Sequence, residues 1–373
     1  MRTLHLDSHA RWRRLAGVGG VGTGLFFALD GTHDLGRNES RLGRLLDVRD
    51  YCKLHIVAHY VAVLLGARPN GKPFHILPIA RVGDDDRGRR MIADMAGVGM
   101  DTRQVRFDAQ RPTLFSVCFQ YPDGAGGNIT TSDSAAAALT RGDIDRARPF
   151  LKSRQGGWMA LAAPEAPLDT RIHLLKLATR ARAFRAASLA TGEVDTARKL
   201  GMFAMLDLLS LNQEEAGALL GKPFDAASPW TFLEARRTAL AAFPPHARLV
   251  VTAGPRGAFG FDLATGEWDY CPAPKVKVAS TAGGGDSLLG ALICGEAVGM
   301  PFIHPVAPRT KFTDRPLNSA LDFGVLLASL KVTSPHTIHP DANLDALLRF
   351  ARQLGVTFAP EIKRHFSAAG SGK

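Results

Sequence analysis

Ser280-Thr281-Ala282-Gly283-Gly284-Gly285-Asp286-Ser287, running straight into the apolar segment Leu288-Leu289-Gly290-Ala291-Leu292-Ile293, is the most informative stretch of this chain. Glycines let backbone N–H groups converge on one point with no side chain in the way. A helix N-terminus adds unpaired donors and the positive end of its dipole. An acid in the first helical turn is favoured in its ionised form, which is the form a general base requires. An anion site with a carboxylate beside it suits transfer of a phosphoryl group to a hydroxyl, a reaction that rests mainly on positioning and charge stabilisation. The same letters also fit a plain glycine-rich turn capped by an acid, so the segment is weighed against the rest of the chain.

Outward from that segment, strand-like and helix-like stretches alternate. Leu15 to Leu29 reads as strand with turns. His55 to Leu65 reads as an apolar helix, Phe74 to Ala80 as a short strand, and Arg87 to Met95 as a helix ending near Gly97. Thr113 to Tyr121 has strand character and is broken by the turn Pro122-Asp123-Gly124. Leu174 to Ala187 reads as helix, Leu249 to Thr252 as a buried strand, and Asp322 to Val332 and Leu344 to Leu354 as helices. Pro301 to Pro316 carries four prolines and reads as an irregular loop. Such alternation predicts a mostly parallel sheet covered by helices on both faces.

Two further stretches bear on chemistry. In Asp207-Leu208-Leu209-Ser210-Leu211-Asn212-Gln213-Glu214-Glu215, a strand ends in Asn212 and Glu215 follows on a new helix. That spacing brings an amide oxygen and a carboxylate near one point, and Mg²⁺ takes such oxygen ligands, often through waters. It equally fits an N-cap with its reciprocal acid. In Val250-Val251-Thr252-Ala253-Gly254-Pro255-Arg256-Gly257, a buried strand delivers a glycine turn that admits a phosphate, with Arg256 as a charge for it; an ordinary turn is the plainer alternative.

Taken in order, the Asn-x-x-Glu element, the strand with its glycine turn and the Gly-Gly-Gly-Asp helix start resemble the ribokinase-like (PfkB) carbohydrate kinases. The N-terminal half adds Ile79-Ala80-Arg81-Val82-Gly83-Asp84-Asp85-Asp86-Arg87-Gly88 and Gly99-Met100-Asp101-Thr102, and the likeness runs from about Leu15 to about Leu354. The resemblance implies one three-layer α/β/α domain over residues 1–366, with a small β lid from about 23–50 and 111–133. It implies that Asp286 deprotonates the acceptor and that the Gly283, Gly284 and Gly285 amides hold the moving phosphoryl group. It further implies that Asn212 and Glu215 organise Mg²⁺ through water, and that Thr252, Gly254 and Gly257 line the ATP site. It admits a monovalent cation near the anion site and a homodimer, and the residues decide neither.

The departures fall on the acceptor side. Many such kinases carry a hydroxyl-gripping acid just after the first strand, where this chain has Gly24, and Asp30 lies too far along to replace it. A Gly-Gly pair followed by Asn near the first major helix is replaced by Asp50-Tyr51-Cys52-Lys53-Leu54-His55-Ile56-Val57-Ala58-His59. Lys53, His55 and His59 are therefore expected to face an acidic or phosphorylated acceptor, with Asn128 on the second lid stretch. A nucleoside acceptor, or a nucleotide-binding regulator without an acceptor, are the alternatives.

Composition bounds the rest. The chain has 373 residues, 46% hydrophobic and 22% charged, which suits a soluble globular protein with a large core. The net charge of +11 is scattered and carries no nucleic-acid motif, so no nucleic-acid partner is expected. Cys52, Cys118, Cys271 and Cys294 lie far apart with no metal-ligand spacing, which points to free thiols in the cytoplasm. Arg13-Arg14 before an apolar run superficially resembles an export signal, but five glycines punctuate Leu15 to Leu29, so it is read as a strand and not as a membrane segment. Residues 367–373 are expected to form a disordered tail.

Overall fold

Runs that are apolar at every position, such as Leu208-Leu209-Ser210-Leu211, belong to strands covered on both faces. The computed structural model describes residues 2–123, 126–152, 157–305 and 309–366. Its strands are β1 (Trp12–Val18), β2 (Gly22–Leu29), β3 (Gly43–Leu46), β4 (His75–Gly83), β5 (Val105–Asp108), β6 (Leu114–Gln120), β7 (Gly126–Thr130), β8 (Gly157–Ala162), β9 (Phe184–Ser188), β10 (Leu208–Asn212), β11 (Arg248–Thr252), β12 (Ala258–Asp262) and β13 (Glu267–Cys271). Nine of them form one sheet in the order β13-β12-β11-β10-β9-β8-β1-β4-β5. The pairs from β5 through to β11 are parallel, and only the β11–β12 and β12–β13 pairs are antiparallel.

Side chains alternate across this sheet and feed two separate cores. Leu15, Met159 and Leu161 join one, with the helices Lys53–Leu65, Gly284–Val298 and Ala320–Lys331. Ala16, Val18, Trp158 and Ala160 join the other, with Leu168–Arg180 and Gln213–Leu220. The result is the expected helix–sheet–helix sandwich. Gly290 sets the spacing of two of its helices: a Cβ there would stand 3.0 Å from the Tyr60 Cβ and 3.1 Å from the Val57 carbonyl oxygen.

A second sheet, β3-β2-β6-β7, is built from two stretches far apart in the chain. Its β2 and β6 run parallel, with Gly24 beside Ser116. Several of its apolar side chains face outward, among them Ile129 and Leu45.

One sequence expectation is overturned. Leu174 to Ala187 is not one helix: the helix is Leu168–Arg180, and Phe184–Ser188 is strand β9, paired with β8 and β10. Arg182, at φ +52°, turns the chain between them. The alanines favour a helix locally, but a place between two buried strands outweighs that preference. Among the described residues of 301–316 there is no helix or strand, as expected. The turn at Gly124 and the tail 367–373 lie outside the described residues. No described helix is long and apolar enough to cross a membrane.

Candidate active site

Parallel strands deliver their C-terminal ends to one edge of the sheet, where ligands of open α/β folds bind. Asn212 and Thr252 close β10 and β11 side by side, paired in register. The helix Gly284–Val298 starts beside them, so that Asp286 sits in its first turn. Together they border a cleft of about 1160 Å³ whose lining includes Lys53, Asn212, Glu215, Thr252, Gly254 and Asp286.

The glycine segment has the conformation its sequence demands. Gly283 precedes the helix at φ +80°, and a side chain there would overlap the Thr337 carbonyl oxygen. Gly284 does not act as a free donor: its N–H bonds the Thr281 carbonyl oxygen at 3.1 Å. Among the described residues, the N–H groups of Gly283, Gly285 and Asp286 have no protein acceptor, so the open donor set at this helix start includes the acid's own amide. Gly254 and Gly257 also line the cleft with positive φ, and a Cβ on Gly257 would overlap the Cys271 carbonyl. Arg256 is exposed and donates to Gln213 Oε1 at 2.8 Å.

Charge is concentrated at the cleft floor. Burial raises the Asp286 carboxyl above its ordinary value, and the ammonium groups of Lys53 and Lys331 work against that rise. Burial alone would lower Lys53, but the carboxylates of Asp286, Glu215, Glu165 and Glu193 hold it above its usual value. Glu165 is pushed up to about 7, mainly by burial, although the Lys53 backbone N–H donates to its Oε2 at 3.0 Å. Its backbone stands at φ +68°, a strained conformation for a residue with a side chain and one that clusters at functional sites.

Asn212 and Glu215 form the reciprocal cap that their spacing allows. Asn212 Oδ1 accepts from Glu215 N–H and Glu215 Oε2 accepts from Asn212 N–H, each at 2.8 Å. Glu215 is buried with its carboxyl raised, chiefly by desolvation. No group of three His, Cys, Asp or Glu side chains that could hold a metal directly exists among the described residues. The second carboxylate oxygen of Glu215 and the remaining lone pair of Asn212 fit a hydrated Mg²⁺ held through its waters, and not a protein cage.

The stretches expected to face the acceptor are assembled differently from their expected form. At Gly24 an added Cβ would lie 2.5 Å from Asp50 Oδ2 and would also overlap Ser116 Oγ. The bare glycine therefore makes room for a carboxylate that arrives from elsewhere in the chain. Asp50 is 7% exposed, accepts from Ser116 Oγ–H at 3.0 Å, and has its carboxyl raised by desolvation. Lys53 lines the cleft. His55 does not: it is 1% exposed, packed against the Tyr51 ring, and burial lowers it to about 3, so it is a neutral core residue. His59 is lowered to about 4 for the same reason. Asn128 is exposed on β7, donates to Thr130 Oγ1 at 3.1 Å, and stands opposite Cys118 of β6.

One residue touches both sides. Thr337 covers Gly283 with its carbonyl, donates its N–H to the Arg49 carbonyl at 3.1 Å, and accepts the Tyr51 N–H on its hydroxyl at 2.9 Å.

The family model of pfkB family carbohydrate kinases matches residues 64–343. The chain belongs to that family. Its fold is that of ribokinase from Cryptococcus neoformans var. grubii serotype A in complex with ADP, at TM-score 0.68 and 18% identity over 91% of this chain and 99% of that one. A Burkholderia thailandensis nucleoside kinase in complex with inosine aligns equally well, at TM-score 0.68 and 14% identity over 92% and 99% of the two chains. By sequence, the chain is 26% identical over 234 residues to the bifunctional protein HldE of Bradyrhizobium diazoefficiens, covering 59% of this chain and 44% of that protein. The chain thus spans less than half the length of this curated relative.

Three residues here escaped sequence reasoning. Asp50 stood in the stretch already marked as unusual, but its meaning depends on Gly24 and Ser116. Glu165 follows β8 with no motif around it, and only its left-handed backbone marks it. Lys331 reads as an ordinary basic residue at a helix end.

Proposed function

We propose that this pfkB-family protein is an ATP- and Mg²⁺-dependent phosphotransferase that moves the γ-phosphoryl group to a hydroxyl of a sugar or sugar-like molecule. The observation that carries this is the floor of the cleft, where Asp286 stands in the same helical turn as the open N–H groups of Gly285 and Asp286. In this reading the Asp286 carboxylate takes the acceptor hydroxyl's proton as that oxygen bonds the γ-phosphorus. The amides meet the charge of the moving group, and ADP leaves with the electron pair of the broken P–O bond. Thr252, Gly254 and Gly257 line the nucleotide end. Asn212 and Glu215 would hold hydrated Mg²⁺, which supplies positive charge to the phosphates. The small β2-β3-β6-β7 sheet acts as the lid.

The acceptor's inner end is read as neutral. Lys53 already answers four carboxylates, which leaves little charge to hold an acid. Asp50, in the space at Gly24, accepts hydrogen bonds and suits hydroxyl donors. An acid or phosphate on the acceptor would sit farther out. The test is ADP release from ATP and Mg²⁺ across a panel of sugars, sugar phosphates, sugar acids and nucleosides. Acceptor-dependent release with a polyhydroxyl compound is expected. ATP bound without turnover across the panel would instead support a nucleotide-binding regulator.

A further inference from the structure

Lys331 has no part in the reaction as derived above, yet it is a wholly buried cation beside the base. It ends the helix Ala320–Lys331 with 0% exposure, and its Nζ donates to the Ser280 carbonyl at 3.0 Å. Ser280 opens the glycine segment. The next residue, Val332, accepts on its carbonyl from Ala279 N–H at 2.8 Å and Ser280 N–H at 3.3 Å. The segment is thus clasped at one end by Lys331 and Val332 and at the other by Thr337 over Gly283. Two ammonium groups pull on the Asp286 carboxylate, Lys53 and Lys331. Burial lowers Lys331 to about 8 even with the Asp286 carboxylate raising it; His339 on the following turn adds no negative charge. A lysine in such a place keeps its charge only through partners like these.

A free monovalent cation fits this segment poorly. Such an ion is held by carbonyl oxygens, and four of those in this segment already have donors. Ser280 O accepts from Lys331, Thr281 O from Gly284 N–H, Gly283 O from Ser287 N–H, and Gly284 O from the Ser287 hydroxyl at 2.7 Å. A second positive charge next to the ammonium would also be repelled.

We infer that Lys331 is the resident cation of the anion site, a positioning residue whose ammonium fixes the Ser280 carbonyl and supplies the charge that would otherwise come from a dissolved monovalent ion. The inference rests on the glycine segment being the phosphate site, so its test separates the two ideas. Melting temperature and affinity for a non-hydrolysable ATP analogue with Mg²⁺ are measured in KCl, NaCl and choline chloride at equal ionic strength. The wild-type protein is expected to give the same values in all three salts. In choline chloride, Lys331→Ala is expected to bind the analogue about tenfold more weakly, on the order of one charge-assisted contact. Ethylammonium chloride should restore that affinity, while Lys331→Met, which refills the space without charge, should stay weak. A K⁺-specific gain in wild-type affinity or melting temperature would overturn the inference, as would wild-type affinity in Lys331→Ala. If the alanine variant does not fold, the wild-type salt comparison still decides. If no salt supports nucleotide binding, the kinase reading fails, and the melting comparison still tests the cation.

Discussion

In the proposed reading, the nucleotide side and the acceptor side meet at Asp286 but are built on opposite plans. The nucleotide side is made of short consecutive segments: a glycine turn at the end of β11, a cap at the end of β10, and the start of the helix Gly284–Val298. Its donors are backbone N–H groups, so its requirements are written in glycines and helix boundaries. The acceptor side is made of single side chains from separate elements. Gly24 lies on β2, Ser116 on β6, Asp50 ahead of the helix Lys53–Leu65, and Glu165 after β8. A group built from backbone is hard to alter one residue at a time. A group built from side chains is easily rebuilt, and the departures that the sequence suggested from the family pattern fall there.

The sharpest way to break this comparison is at the point where the two sides join. Asp286→Asn is expected to lower kcat on the order of 10²–10⁴-fold. Nucleotide affinity, read by calorimetry, should hold, and full turnover in this variant would remove Asp286 as the base. Next comes the backbone plan. Gly283→Ala places a methyl group against the Thr337 carbonyl at a φ of +80°, so it should destabilise the fold by about 1–3 kcal/mol and lower kcat with it. Unchanged melting and turnover would show that the turn does not need glycine.

The side-chain plan predicts a narrower effect. Asp50→Asn should raise the acceptor KM about tenfold, on the order of one hydrogen bond to a charged group. The ATP KM should stay within error; equal changes in both would mean that Asp50 only supports the fold. The smallest effect is a slope. Burial pushes the Glu165 carboxyl in the folded chain up to about 7 from an ordinary 4.5. The folded state therefore binds that proton more tightly than the unfolded chain, and stability is lost as pH rises from about 4.5 to about 7. Glu165→Gln should flatten melting temperature against pH across that window, and an unchanged slope would count against a buried, proton-holding Glu165.

The same contrast explains what was legible. The parallel sheet, its helices and the Gly-Gly-Gly-Asp helix start follow from local pattern, because apolar runs and glycines carry their own geometry. The Asn212–Glu215 spacing was legible as a cap, and the cap is what formed. His55 misled because its neighbours in sequence suggested an acceptor site, whereas its turn of the helix points into the packing around Tyr51 and His59. Asp50 was hidden because a glycine's vacancy is informative only once the side chain that fills it is known. Leu174 to Ala187 misled because alanine favours helices while strand pairing is decided by distant partners.

Thr337 gives the two plans a common fastening. With its carbonyl on Gly283 and its N–H and hydroxyl on Arg49 and Tyr51, a shift at the root of the acceptor side is geared to the turn that presents the phosphate donors. In the proposed reading, specificity and turnover are therefore not independent dials in this chain. A loop graft across residues 49–51 meant only to change the acceptor would also retune the transfer step, and Thr337 is the tooth through which it would do so.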